Sequence, residues 1–509
     1  MKTFSNPILP GFYPDPSICR LGEDYYLANS SFAYFPGVPL FHSRDLIHWR
    51  QIGHALTRKS QLSLDRVDKT FGFLDECRNS LGIWAPTLRY HDSTFYLVTT
   101  NMSHGGHFVV TARDPEGEWS DPIWLDQPGI DPSPFWDEDG RGYLLSNLWP
   151  GRPLGIVMSE MDFTTGKRLT EIRLIWEGMG AQSPEGPHLY KRGDFFYLIA
   201  AEGGTGPGHL VSLARSTSIW GPYESCPHNP ILTHRSLSHP IQYTGHADLI
   251  EAHDGSWWMV FLGTRPKGHP ATHHLGRETF LAPLEWTDDG WPVVNGGNPV
   301  QSVMLAPGFA SEEPVDASLN RFTGFEWNFL RNPDPSRYEI REAELRLQGT
   351  DIPIDEGTRS PVWMGQRQTS FDAEVSVHLH FDPAGPDDHA GLCVYMNESH
   401  FYALSITKEN GVAKARLHRI VGPLKDTTSV IVLPGDREIG MKITATAQGY
   451  AFFVKSGEWQ TVGDAPCCYL STEVAGGFTG VYFALHAVGD RAVATFSNWS
   501  HTLRLRESS

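Results

Sequence analysis

Residues 11–27 read Gly-Phe-Tyr-Pro-Asp-Pro-Ser-Ile-Cys-Arg-Leu-Gly-Glu-Asp-Tyr-Tyr-Leu: a proline-fixed turn around Asp15, then a strand-like aromatic cluster at Tyr25-Tyr26-Leu27. The same phrase returns four times before residue 290. Its later clusters are Phe95-Tyr96-Leu97, Gly142-Tyr143-Leu144, Phe196-Tyr197-Leu198 and Trp257-Trp258-Met259. Their second members are 70, 47, 54 and 61 residues apart, too far for a helical solenoid and right for four-stranded blades. Each cluster follows a short polar or proline motif: Asp15-Pro16, Trp84-Ala85-Pro86, Asp131-Pro132, Pro184-Glu185-Gly186-Pro187 and Gly245-His246-Ala247-Asp248. From Asp15, Pro86, Asp131, Glu185 and His246 to the cluster the count is 11, 10, 12, 12 and 12. Equal offsets in a radial repeat form a ring around one axis. Asp15, Asp131 and Glu185 are therefore expected in one pocket of a five-bladed β-propeller.

Each blade also carries a later strand that ends in a small polar turn, as in Phe41 to Asp45, Val109 to Asp114 and Val211 to Ser216. The pattern breaks after Asn295, where Gly-, Pro- and Glu-rich sequence marks a linker. Beyond it the text changes to period-two alternation. Arg359 to His380, Ala390 to Tyr395, Phe401 to Thr407, Ala413 to Val421, Met441 to Ala447, Tyr450 to Lys455 and Gly480 to Ala487 are spaced like a β-sandwich. The expected fold class is all-β: a propeller over 1–300, a linker over 301–314, and a jelly-roll or concanavalin-like sandwich over 315–509.

A chain of 509 residues is too long for one core, which agrees with that division. The formal charge of −18, with Lys and Arg scattered, excludes the basic stripe that nucleic acid requires. No run approaches 18 apolar residues, so no membrane-spanning helix is expected. Cys19, Cys77, Cys226, Cys393, Cys467 and Cys468 contain no CxxC pair, which argues against a zinc site or disulfide framework. With no apolar leader near the first residues, the expected location is the cytoplasm. A homo-oligomer is compatible with everything above.

Three carboxylates at one ring position point to a chemistry. Hydrolysis of a glycosidic bond needs one carboxyl group to protonate the leaving oxygen and another to activate water or attack the anomeric carbon. Taken singly, Asp15 and Asp131 also fit turn residues that cap their own backbone. Glu185, between Pro184 and Gly186-Pro187, fits neither a turn nor a solvated helix face. Its longer reach and its like-charged neighbours make it the group held protonated, hence the general acid. Asp15 is then the ionised base, and Asp131 tunes and holds Glu185. His246, at the fifth ring position, is expected in the pocket and is the one candidate metal contact, for a calcium ion bound through water; no cofactor is otherwise required. Arg277 is expected on the fifth blade's later strand, facing inward to pin a carboxylate or sugar hydroxyl instead of pairing with Glu278. Phe32 and Trp84 fit stacking walls and core packing equally well.

These motifs resemble the family 43 glycoside hydrolases, in particular the β-xylosidases that carry a C-terminal sandwich. The resemblance rests on Asn6 to Ser17, Asn29 to Gly37, Gly82 to Pro86, Glu185 to Tyr190, Ala201 to Thr205, Leu275 to Thr279 and Phe325 to Pro333. It implies an inverting mechanism with Asp15 as base, Asp131 as pKa modulator and Glu185 as acid. It also places Phe32, Trp84, His246 and Arg277 in the sugar pocket, with Phe478 of the sandwich closing it. The expected activity is exo-acting removal of xylose from the non-reducing end of xylo-oligosaccharides, with α-L-arabinofuranosidase side activity. An enzyme acting mainly on arabinofuranosides, a retaining hydrolase acting on fructosides and a non-catalytic sugar-binding propeller are the alternatives.

Overall fold

The computed structural model describes residues 2–64, 78–149, 154–311, 320–428, 430–433 and 438–503. Five antiparallel sheets follow one another along the chain. Their first three strands are Ser17–Leu21, Asp24–Ala28 and Gly37–Ser43; Thr87–His91, Thr94–Asn101 and Gly106–Ala112; Ile130–Trp136, Gly142–Asn147 and Ile156–Asp162; Glu185–Arg192, Phe195–Glu202 and Leu210–Ser216; Gln242–Glu251, Trp257–Thr264 and Glu278–Trp286. Every aromatic cluster lies in the second strand of its sheet, and the motif before it lies just ahead of the first strand or within it. The repeat is thus a blade, and the molecule begins with a five-bladed propeller. Alternate residues of each second strand fill the core between blades: Tyr25, Phe95, Tyr143 and Tyr197 are all buried. The ring closes at the chain start, where Asn6 exchanges side-chain hydrogen bonds with the backbone of Leu281 in the fifth blade (2.9 and 3.0 Å).

The segment expected to be a linker is not all irregular. Val303–Leu305 forms a strand against Thr3–Ser5, because its alternating side chains can pair with the chain start; residues 312–314 lie outside the described residues. The sandwich then packs a nine-stranded sheet on a seven-stranded one. The run from Arg359 to His380 resolves into two strands, Trp363–Arg367 and Ala373–Asp382, in opposite sheets. Glu344–Gln348, Trp459–Pro466 and Val493–Leu503 are further strands that the period-two reading passes over. Among the described residues no helix is long and apolar enough to cross a membrane. Cys19, Cys226, Cys393, Cys467 and Cys468 are free thiols; Cys77 lies outside the described residues.

The two domains share structure. Tyr34–Phe35, in the first blade's connection, pairs with Trp327–Leu330 and becomes the edge strand of the nine-stranded sheet. Arg367 donates from Nε to the carbonyl of Phe12 (2.7 Å) and lies over the Tyr13 ring (4.5 Å). Phe12, Phe32 and Tyr34 of the propeller join Trp363, Tyr395 and Tyr482 of the sandwich in one apolar cluster.

Candidate active site

Asp15, Asp131 and His246 have φ of 53°, 54° and 45°, a left-handed region that side chains other than glycine rarely adopt. That the same strain recurs at one position in three blades indicates a function. Strand pairing slips at these points, between Ile130 and Ser133, Glu185 and His188, and Gly245 and Asp248. Such bulges re-aim side chains out of the strand's alternation. In the fourth blade the positive φ falls beside the site residue, at Ser183 and Gly186. A Cβ on Gly186 would sit 3.0 Å from the His246 ring, so a side chain there would crowd the pocket.

All eight residues singled out from the sequence line one cavity of about 240 Å³: Asp15, Asp131, Glu185, His246, Arg277, Phe32, Trp84 and Phe478. Asp15 is 4% exposed. It does not cap its own backbone; its carboxylate accepts from Arg277 Nη1 (2.9 Å) and from the Ser30 hydroxyl, with His246 Nδ1 3.8 Å away. Burial alone would raise its pKa, but Arg277, His246 and Ser30 outweigh it and hold the carboxyl below the usual range. Asp131 accepts from the backbone N–H of Gly186 (3.0 Å), which ties it to the residue beside Glu185. Burial, with Asp15 adding to it, raises the Asp131 pKa. Glu185 stays partly open to the cavity. Burial, then the charges of Asp131 and Asp15, push its pKa up to about 8. One cavity thus holds an ionised carboxylate and a protonated carboxyl group, as acid–base chemistry demands.

Arg277 lies one residue before the strand Glu278–Trp286 rather than within it. It does not pair with Glu278. That carboxylate is taken by Arg265 (2.7 Å from both Nε and Nη2), leaving Arg277 for Asp15 and the Thr205 hydroxyl (3.1 Å). The guanidinium also lies 5.8 Å from the Phe32 ring centroid and 5.6 Å from that of Phe478. Phe478 reaches the propeller on a loop pinned by its own N–H to Ser80 Oγ (2.9 Å). A Cβ on Gly480 would meet the Leu275 carbonyl at 2.4 Å, so the approach requires glycine. Phe483, the other aromatic of this region, is buried in the sandwich core and cannot line the pocket.

The sequence reading gave no role to Trp149, Thr205 or Ser30. Trp149 stacks on Trp84 (5.9 Å between centroids, 24° between planes) and extends the aromatic wall. Its signal was its place after the third cluster, on a connection of the kind that forms pocket walls. Ser30 and Thr205 lie in two stretches that carry the family resemblance, Asn29 to Gly37 and Ala201 to Thr205, but nothing in those stretches assigns either a role.

Below the carboxylates the axis is closed by a second polar ring, Ser17, Arg89, Ser133, His188 and Asp248, two or three residues further along each first strand, with Tyr190 joining it. Asp248, fully buried, accepts from Arg89 (2.7 and 3.1 Å), Ser17 (2.7 Å) and Tyr190 (2.5 Å). His188 joins Arg89 and Ser133 at 2.9 Å each. All five blades contribute to this network. As for the expected calcium, among the described residues no group of three His, Cys, Asp or Glu side chains is arranged to hold a metal ion.

Comparison with known proteins identifies the family. The model of glycosyl hydrolases family 43 matches residues 4–292, and that of the β-xylosidase C-terminal concanavalin A-like domain matches residues 320–501. The chain is 42% identical to a non-reducing end α-L-arabinofuranosidase of Bacteroides ovatus, over 96% of this chain and 92% of that protein. It is 38% identical to a xylosidase/arabinosidase of Butyrivibrio fibrisolvens, over 96% of both. A solved xylan β-1,4-xylosidase of Bacillus halodurans superposes with a TM-score of 0.91 at 34% identity, over 98% of this chain and all of that one. With family models matching most of its length, the chain belongs to glycosyl hydrolases family 43.

Proposed function

We propose that this enzyme is an exo-acting, inverting β-xylosidase that releases xylose from the non-reducing end of xylo-oligosaccharides and also cleaves α-L-arabinofuranosides. The observation that carries it is the pairing, in one small cavity, of an ionised Asp15 with a Glu185 whose pKa is raised to about 8. Glu185 gives its proton to the glycosidic oxygen as the bond to the anomeric carbon breaks. Asp15 takes a proton from the water that attacks that carbon from the opposite face. Asp131 holds the Gly186 backbone and, by its charge, keeps the acid protonated until it is used. Arg277 keeps Asp15 ionised. Inversion requires the two carboxyl groups to stand roughly 6.5–9.5 Å apart so that water fits between them.

A cavity of about 240 Å³ walled by Phe32, Trp84, Trp149 and Phe478 suits one sugar ring rather than a chain. The sandwich loop that brings Phe478 closes one side, which favours attack at a chain end. The names of the relatives support both sugars, and the arabinofuranosidase of Bacteroides ovatus favours a second reading in which arabinofuranosides are the main substrate. A pocket distinguishes such similar rings by only ~1–3 kcal/mol. The free cysteines support a reducing, cytoplasmic setting, to be tested by cell fractionation. Rates on nitrophenyl β-xyloside, α-L-arabinofuranoside and fructoside test the assignment. The first is expected to be fastest, the second measurable and the third absent. Dominant fructoside cleavage would overturn the reading. Proton NMR should show α-xylose appearing first from a β-xyloside; β-xylose first would exclude inversion.

A further inference from the structure

Arg277 and His246 are the charged groups that hold the Asp15 carboxyl below its usual range. Both are supported by the connection between the second and third strands of the fourth blade, Gly203 to His209. Thr205 on this connection accepts from Arg277 Nη1 (3.1 Å). His209, at its end and 1% exposed, reaches into the fifth blade, where its Nδ1 lies 3.0 Å from the carbonyl oxygen of Tyr243. A carbonyl only accepts, so Nδ1 carries the proton. The other nitrogen, Nε2, is buried without a hydrogen-bond partner among the described residues. Burial pushes the pKa of this imidazole down to about 3, so the ring stays neutral and the same tautomer donates. A phenyl ring would fill the space without burying a bare nitrogen. What the histidine adds is the N–H for Tyr243.

That bond falls on an irregular stretch. In the fifth blade's first strand the pairing slips twice between Gln242 and Asp248, where the other first strands slip once or not at all. Tyr243 and His246 both take left-handed φ, 56° and 45°. Between them the backbone passes so near His209 that a Cβ on Gly245 would lie 2.3 Å from the ring. Such a path persists only when its surroundings fix it. His209 fixes it from inside the propeller. From outside, the Tyr243 ring stands edge-on to His273 (5.4 Å, 84°), and its hydroxyl reaches Glu473 of the sandwich (3.4 Å). Glu473 in turn accepts from the ring and from the backbone N–H of His273 (2.7 and 3.0 Å). Both domains therefore grip the bulge that brings His246 Nδ1 to 3.8 Å from Asp15.

We propose that His209 and Glu473 are positioning residues: through the bulge at Tyr243 they hold His246 against Asp15, so that docking of the sandwich helps to set the base. The proposal rests on the reading of Asp15 as that base. The test is a double-mutant cycle in kcat/KM on the full-length protein. Its substrate is whichever of nitrophenyl β-xyloside and α-L-arabinofuranoside the wild type cleaves faster, so the choice of sugar does not enter. His209→Phe should lower kcat/KM about tenfold, and Glu473→Ala about threefold. In a His246→Ala background each should cost less than about twofold, because the group they position is gone. His209→Asn, which keeps an N–H near the place of Nδ1, should stay within about threefold of the wild type. Losses in the His246→Ala background equal to those in the wild type would show a merely structural role and overturn the proposal. Normal kinetics of either His209→Phe or Glu473→Ala would overturn it as well. The Glu473 side chain is 26% exposed, so its variant should fold even where His209→Phe does not, and the Glu473 cycle then decides alone. Activity retained by Asp15→Asn would instead overturn the base assignment, a separate outcome, since the cycle reads only the coupling to His246.

Discussion

Replacing Glu185 by Gln should stabilise the protein, and by an amount that depends on pH. In the folded chain burial and the charges of Asp131 and Asp15 raise this carboxyl from an ordinary 4.5 to about 8. Between those values the native state holds a proton that the unfolded chain has released. Stability contributed by the protonated carboxyl is therefore complete below pH 4.5 and lost as pH rises through 8. At about 1.36 kcal/mol per unit the full shift corresponds to ~5 kcal/mol, and water in the cavity reduces this to ~2–5 kcal/mol. Gln is neutral at every pH and keeps the shape. The variant and the wild type should thus melt together near pH 4.5 and diverge toward pH 8.5. Unfolding entropy of ~2 cal/mol/K per residue gives ~1 kcal/mol/K for the whole chain, so the variant should melt ~2–5 °C higher at alkaline pH. Calorimetric melting temperatures of both proteins at half-unit pH steps provide the measurement. Parallel curves, offset by a constant, would refute the claim that Glu185 is held protonated by its surroundings.

The same variant, and Asp15→Asn, should lose a factor of ~10²–10⁴ in kcat on xylobiose while keeping the native circular dichroism spectrum; retention of a tenth of wild-type activity by either would remove that residue from its role. For the wild type, log kcat/KM should fall with unit slope above about pH 8 as Glu185 ionises, whereas Asp15, held below the ordinary range, stays ionised far into acid. Asp131→Asn removes one negative charge beside Glu185 and should move that alkaline limb to lower pH; an unmoved limb would mean that Asp131 acts by position alone. Phe478→Ala should raise KM more than it lowers kcat. Truncation after residue 315 uncovers Phe12, Phe32 and Tyr34, worth ~1.5–3 kcal/mol each, a sum comparable with a domain's whole stability; a soluble, active fragment would contradict the shared core. Asp248→Asn leaves Arg89 unpaired at the propeller axis and should cost ~3–5 kcal/mol in urea denaturation.

The sequence by itself determined the blade repeat, and with it the ring that holds Asp15, Asp131, Glu185 and His246. A structural repeat imposes one local geometry, so residues at equal offsets from an aromatic strand meet at the axis whatever separates them in the chain. Boundaries were less legible where alternation continues through a bend, as between Arg359 and His380, because period two does not say which sheet a strand joins. Tertiary structure alone decided that Arg277 serves Asp15, 262 positions away, while Arg265 takes Glu278. It alone made Tyr34–Phe35 a strand of the sandwich sheet and brought Trp149 onto Trp84. The sequence already made Glu185 the protonated group and Asp15 the ionised one; tertiary structure set the burial and fields that depress Asp15 and raise Glu185. The motifs are similar, but a pKa is set by the summed burial and field of every packed element, and those sums exist only once the blades and the sandwich have docked.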